Sequence, residues 1–444
     1  MVDFLTTFFL SALSYINYII ANLPTVSRAF LDSIYYVSQF FYDILFVLGV
    51  FTTGLLIVLI IFVQVFKKGT TESKLDFKKA PFVTIQIPTR NELVALECVE
   101  CCLAFDYPKN KYEILIGDDS NKPEVSQKLL EFANKHKGMV RVIKRSENTG
   151  FKPGNLNNLL KFSKGEFIVV FDSDFTPKKD FLKRIIEPLT TDESISGVQA
   201  KWNFINFNQN LTTRMAAVLV YLFQDLNLQF SLIFGAGYLC GSAEAVRKKD
   251  LIALGGWREG CLTEDIEFSL RLHAAGKKIV FLNKLSCFNQ VPQGPMDLYK
   301  QQMRWAHGII TSYMANFKGI LVSTSMPIAK KLIIFYNAFA YLFSTVFVLL
   351  FFVGMVGIVT HPPAPLNLQN FVSEFAFDTA MTSGFMVCCA YLLFIENKIS
   401  HFPKTMLASF TVGLPTSFFI NMGVFRALTR QPMQWYLLNK KVKQ

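Results

Sequence analysis

Charge is scarce in this sequence. Only 18% of its 444 residues are Asp, Glu, Lys or Arg, against about a quarter in ordinary soluble domains. That shortage argues against a plain soluble enzyme and against a disordered, highly charged chain. Paired cysteine motifs are also missing. The eight Cys stand at 98, 101, 102, 240, 261, 287, 388 and 389. Cys98-x-x-Cys101 has no second pair at a suitable distance, so a structural zinc site is not expected. No secretory cleavage signal is visible, and the thiols read as free groups on a cytosol-facing body. Nor is there an internal repeat, the hydropathy symmetry common in transporters.

Apolar residues are what the chain has in excess. They make up 51% of it, 45 of them Phe, and the mean hydropathy is +0.32. The net charge of +12 suits either nucleic acid or an anionic inner leaflet; with this apolar content it points to membrane lipid and no nucleic acid. Residues 4–23 and 44–66 are each long enough to span, since a crossing takes roughly 20 apolar residues. The first carries Ser, Tyr and Asn and either spans or lies along the surface. Lys67 and Lys68 follow the second, and basic flanks stay cytosolic. Hydrophobic segments return at 332–360, 376–395 and 404–426. The basic tail should be cytosolic too, which requires an even number of crossings after the body. The segment 404–426, with Gly413 and Pro415, is expected to be the interfacial or broken one. The chain thus divides into an N-terminal membrane part (1–68), a cytosolic body (69–325), C-terminal transmembrane and interfacial helices (326–427) and a tail (428–444).

The body alternates short β-rich runs (83–88, 112–118, 140–145, 166–174) with helical stretches such as 92–104 and 124–137. This pattern predicts a parallel or mixed sheet with helices on both faces. Ligands of such sheets bind at the carboxyl ends of the strands, and carboxylates stand there. Asp172-Ser173-Asp174 follows FIVVF, where two close acids want a hard cation such as Mg2+ or Mn2+ held jointly with substrate phosphates. A solvated turn with an Asp cap is the simpler alternative. Asp118-Asp119-Ser120 ends another strand and is either a similar turn or a contact for a ribose hydroxyl or base N–H. Glu92 follows the first strand. Glu264-Asp265 opens an amphipathic helix, where a carboxylate is favoured by the helix dipole in any case. Lys152 lies in a glycine-bearing segment, Asn148 to Asn155, that suits a surface turn or a diphosphate. Gln301-Gln302-Met303-Arg304-Trp305 offers a guanidinium fork and a flat indole, suited to phosphate and sugar or to a membrane-interface anchor.

In this order, D, D-x-D, T-E-D and Q-x-x-R-W resemble the processive family 2 glycosyltransferases, the superfamily of cellulose, chitin, hyaluronan and mannan synthases. The resemblance covers about 82–310. Residues 198–215, GSAEAVR at 241–247, GGW at 255–257, TEDIEFSLRLHAAG at 263–276 and QQMRWAHG at 301–308 are similar to the plant cellulose-synthase-like mannan and xyloglucan-backbone enzymes and their microbial relatives. Gln434 to Lys440 looks like their gating loop but has Leu438 where the family has Thr, and Lys152-Pro153-Gly154 has Pro in place of Ala. The resemblance implies an α/β GT-A (Rossmann-like) domain inserted between membrane helices. It also implies inverting transfer from a nucleotide-sugar, of the UDP-glucose or GDP-mannose class, to a growing polysaccharide. Thr89, Glu92, Asp118, Lys152, Asp172, Gln301 and Arg304 would bind the nucleotide-sugar. Asp172 and Asp174 would hold Mg2+ or Mn2+. Asp265, with Glu264 beside it, would be the general base, and Trp305, Cys240 and Gly241 would meet the acceptor. Transfer of one sugar to a membrane lipid is the rival with the same chemistry; a nucleotide-binding transporter is the rival of another class. Tyr336, Asn337 and Tyr341 either carry product or anchor a helix at the membrane interface.

Overall fold

The computed structural model describes residues 25–66, 80–339, 343–361 and 368–433, with Tyr341 and scattered positions between 11 and 22. The expected first span lies largely outside the described residues, and the expected gate at 434–440 lies wholly outside them. The chain forms two compact units, Met1–Ile61 with Leu342–Ile399, and Phe62–Tyr341 with Ser400–Gln444.

The larger unit is built on one sheet. Its strands are β1 (Val83–Thr89), β2 (Tyr112–Asp118), β3 (Val140–Lys144), β4 (Phe167–Val170), β5 (Ile195–Phe204), β6 (Glu244–Arg247) and β7 (Lys278–Asn289), in the order β3-β2-β1-β4-β6-β5-β7. β1 pairs in parallel with β2 and β4, β2 with β3 and β5 with β7, while β6 runs antiparallel to β4 and β5. β2 and β4 are buried along their whole length. That two-sided burial explains their near-continuous apolar runs. Leu156, Ile168, Val170, Val246, Trp257 and Phe268 form one core beneath the sheet.

Strand order reverses on either side of β1, so a crevice opens at the carboxyl ends of β1 and β4. Thr89 and Asp118 end their strands side by side in register. β4 stops at Val170, earlier than the expected 174, and Asp172–Asp174 form a turn beyond it. An Asp-Ser-Asp run favours a turn, because its short polar side chains bond to nearby backbone.

The smaller unit is helical. Thr25–Phe66 leaves Phe30, Tyr36, Phe40, Val47, Phe51, Val58 and Val65 exposed, as a lipid-facing helix would. Candidate spans by length and composition are Ser27–Phe66, Leu211–Ile233, Ile328–Thr360 and Ile399–Leu428; a further helix pair, Val372–Thr382 and Gly384–Ile395, is bent by 65°. These four or five helices make the chain a multi-pass membrane protein. One bend falls at Ser383, where no residue pattern pointed to it; 404–426, expected to be interfacial or broken, carries a π interruption of its own. The Gly384 N–H at the bend donates to Thr53 Oγ1 at 2.9 Å, which satisfies a backbone group that apolar surroundings would leave costly. Near Pro415 the helix instead passes through a π turn, Ser409–Gly413, and continues to Leu428. Tyr336 and Asn337, read as transport or interface residues, pack within the larger unit. Tyr336 meets Phe230 edge-on, and buried Asn337 bonds with Asn227 and Ser231.

Arg247 closes β6 and is buried, donating to the carbonyls of Leu189, Asp192 and Ile195. Arg247→Met should leave these carbonyls short of donors and destabilise the unit by about 3 kcal/mol. Thermal unfolding in detergent measures this, and a shift too small to resolve would contradict it.

Candidate active site

Asp118 closes β2 with 1% exposure. Its Oδ1 accepts the Ser120 N–H at 2.9 Å, but its buried Oδ2 has no hydrogen-bond partner; the Lys144 ammonium lies 3.8 Å away. A buried carboxylate oxygen at a strand end is an acceptor awaiting an N–H or hydroxyl. Asp119 points elsewhere. Arg145 grips it with two bonds of 2.7 and 2.6 Å and donates as well to the Thr149 carbonyl. Asp119 thereby fixes the loop that leads into the helix Phe151–Phe162.

The Asp172-Ser173-Asp174 turn is pinned on each side. Asp172 N–H donates to Ser242 Oγ at 2.8 Å, Thr176 N–H donates to the Phe288 carbonyl, and Phe175 is buried edge-on against Trp202. The Ser173 hydroxyl bonds to Glu92. Glu92 thus braces the turn from β1, while Thr89 accepts the Asp119 N–H. Asp172 keeps about a third of its side chain exposed and Asp174 is buried.

Lys152 draws these parts together. Its Nζ donates to the Gly241 carbonyl at 2.5 Å and lies 2.9 Å from Asp172 and 3.0 Å from Glu264. Burial alone would lower its pKa, but Asp172 and Glu264 raise it, so the ammonium stays charged. Gly241 has a φ of +83°, and a side chain there would stand 3.2 Å from Asp265 Oδ2 and 3.4 Å from Lys152 Nζ. Only glycine meets both conditions without strain. The neighbouring Cys240 donates its N–H to Gln199 Oε1 at 2.7 Å, and burial followed by the nearness of Asp265 holds its thiol well above its usual range.

Glu264 and Asp265 open the helix Glu264–Ala274. Burial and then the charge of Glu264 raise Asp265 to about 7, with Lys152 opposing. The helix Pro295–Val322 holds this segment in register. Arg304 donates to the Leu262 carbonyl at 2.9 Å, Ser312 meets Thr263 at 3.1 Å, and Asn316 donates to Glu267. Burial lowers the Arg304 pKa, and Glu264, Asp172 and Asp265 act in the opposite direction. Gln301 and Trp305 are partly exposed on the same helix, at spacings that place them on one face with Arg304. Tyr341 lies within electrostatic range of Asp265.

Among the described residues no trio of His, Cys, Asp or Glu converges to hold a metal. Asp172 and Asp174 nonetheless fit a hard cation that keeps water and takes phosphate oxygens for the remainder of its shell. Cys98 is buried in the helix Ala95–Leu103, and none of the eight cysteines forms a disulfide. Sequence reading missed Ser242, Gln199, Arg145 and Glu244. For Glu244 one signal was available, a carboxylate inside the apolar run Ala243 to Val246.

A side chain added at Gly308 would lie 2.6 Å from Thr263 Cγ2. Gly308→Val should therefore wedge the helix away from the Thr263 segment and cost about 2 kcal/mol, the usual scale of overpacking. Unchanged thermal stability would contradict that contact.

With this geometry established, comparison with known proteins gives a consistent answer. A family model described as glycosyltransferase like family 2 matches residues 80–308. The probable glycosyltransferase YdaM of Bacillus subtilis (strain 168) is 24% identical over 365 residues, covering 75% of this chain and 87% of that protein. The solved mannosyltransferase PcManGT of Pyrobaculum calidifontis, in complex with GDP-Man and Mn2+, superposes with a TM-score of 0.59 at 16% identity, over 90% of this chain and 99% of its own. The fold is accordingly GT-A, with a mixed seven-stranded sheet and long apolar helices N-terminal and C-terminal to it in the sequence. The chain belongs to the glycosyltransferase-like family 2 and is a glycosyltransferase that uses a nucleotide-sugar donor.

Proposed function

We propose that the protein is an inverting β-glycosyltransferase that extends a polysaccharide at the cytosolic face of a membrane, with Asp265 as its general base. The observation that carries this reading is the position of Asp265, across Gly241 from the Lys152 ammonium. In the proposed step the acceptor hydroxyl attacks the anomeric carbon of the donor as the bond to the diphosphate breaks. The hydroxyl proton passes to Asp265, and the nucleoside diphosphate leaves. A carboxyl group raised to about 7 suits a base working near neutral pH. Lys152 and Arg304 face the charge that develops on the leaving group in a site with little water. Asp118 offers its unpartnered oxygen to the nucleoside. A divalent cation held by Asp172 and Asp174 would supply further positive charge to the diphosphate.

Partly exposed Trp305, with Tyr341 near Asp265, supports a sugar acceptor that lies against aromatic faces. A hydrophilic polymer cannot cross lipid unaided, which is the reason to couple synthesis to spanning helices. The GDP-Man bound by the Pyrobaculum relative makes GDP-mannose the first donor to test, with UDP-glucose second. Radiolabelled donors supplied to purified protein should yield a product of many sugars, cut by a linkage-specific β-glycosidase. A product carrying one sugar on lipid would refute the polymer reading.

Asp265→Asn should lower turnover by about 10²–10⁴-fold, the usual contribution of a general base, while leaving donor binding nearly intact. Because the base must be ionised, wild-type kcat/KM should rise with pH through about 7. Retained turnover in the Asn variant would remove Asp265 from the role. Chelation by EDTA should stop transfer and Mn2+ or Mg2+ should restore it, while Asp174→Ala should need more metal for the same rate; full activity in EDTA would exclude the cation.

A further inference from the structure

Glu244 takes no part in the chemistry described above, yet it lies beneath it. It is 1% exposed, at the first residue of β6, where its neighbours in register are Val170 of β4 and Gln199 of β5. Its carboxyl group accepts the Gly241 N–H at 2.7 Å. The same glycine gives its carbonyl to Lys152 and lies against Asp265. One peptide turn thus connects a buried carboxyl, the ammonium and the base.

We infer that Glu244 is a positioning residue, which through its bond to the Gly241 N–H holds the turn that seats Lys152 toward Asp172 and the diphosphate. This inference deepens the proposed reaction and rests on it. The groups facing Glu244 come from several elements. Lys152 comes from the helix Phe151–Phe162, Glu264 and Asp265 from the helix Glu264–Ala274, and Asp172 approaches through Lys152 from the turn after β4. Arg304 of the helix Pro295–Val322 adds its charge to the acids of this cluster. Arg247 on the same strand is committed to backbone carbonyls and to Asp250. Asp172, Glu264 and Asp265 already bring three carboxylates to one ammonium, and a fourth negative charge would compete for it at close range. Burial, and then Asp265, keep Glu244 protonated up to about 8. The acceptor's proton must pass to an ionised Asp265, and a protonated Glu244 beneath it adds no further negative charge to the cluster. Above that point the Glu244 proton leaves to solvent, a negative charge appears beneath Gly241, and Lys152 is divided between two demands.

The test is a pH–rate profile from about pH 6 to about pH 10, read as nucleoside diphosphate release from GDP-mannose, with UDP-glucose as second donor. Wild type should lose activity as pH rises through about 8. Glu244→Gln, which keeps an acceptor for Gly241, should move that loss to higher pH by about one unit or more. Glu244→Ala, which leaves the buried N–H unpaired, should be about ten- to a hundredfold slower at every pH, with Gln recovering most of the loss. An alkaline limb unchanged in the Gln variant, or an Ala variant as fast as wild type, would overturn the inference. Infrared titration of wild-type protein tests it without any variant, because a buried protonated carboxyl must be seen to ionise near pH 8; none there also overturns it. Failure of the base assignment looks different: Asp265→Asn would then turn over normally, whatever the Glu244 variants do.

Discussion

The candidate active site depends on one buried ammonium. Lys152 touches oxygens contributed by residues 172, 241 and 264, three stretches of chain that come together only in the folded unit. Take the charge away and two acids, with Asp265 nearby, would face one another across a largely dry cleft. A buried ion pair seldom adds net stability, because desolvation consumes most of the Coulombic gain, but breaking one leaves an uncompensated charge at a cost of about 3–5 kcal/mol. Lys152 is therefore understood as a device for geometry. It holds Asp172 and the Gly241 turn in a fixed relation, and its charge survives burial because acids surround it.

The second constraint is mechanical. The helix Pro295–Val322 is joined to the Leu262–Thr263 segment by Arg304 on the Leu262 carbonyl, by Ser312 on the Thr263 hydroxyl and by the bare surface of Gly308. Met303 of that helix packs with Leu262 and Met433, and Phe151 lies against the same cluster. The residues before Lys152 and before Glu264 thus share one apolar seat. Arg304 does two things in this arrangement: it brings a positive charge toward the acids and splints the segment that carries Glu264 and Asp265.

Much of this was legible in the sequence, for identifiable reasons. β1, β2 and β4 could be read because strands buried on both faces must be apolar throughout. β5 was hidden by Gln199 and Lys201, polar residues satisfied inside the fold by Ser242, Cys240 and Asp225. β6 was too short to stand out. Asp118, Asp172 and Asp265 were singled out by type and order, but the roles expected of them came from the motif resemblance, since no local pattern links residue 118 to residue 265. Glu92, for which the resemblance implied a donor contact, accepts the Ser173 hydroxyl, a partner that no local pattern announces. The bend at Ser383 was not foreseen because Pro415 looked like the disruptive residue. A π turn accommodates it, while the bend at Ser383 relies on Thr53, a partner about 330 residues away that sequence cannot reveal.

The most direct test of the Lys152 account is a double-mutant cycle between Lys152→Met and Glu264→Gln, read as initial transfer rate under saturating donor. If one ammonium organises the acids, the two changes should be strongly non-additive, the double variant losing little beyond Lys152→Met alone, with a coupling of about 1–3 kcal/mol. Additive losses would mean that the two residues act independently and that the site is not organised around Lys152.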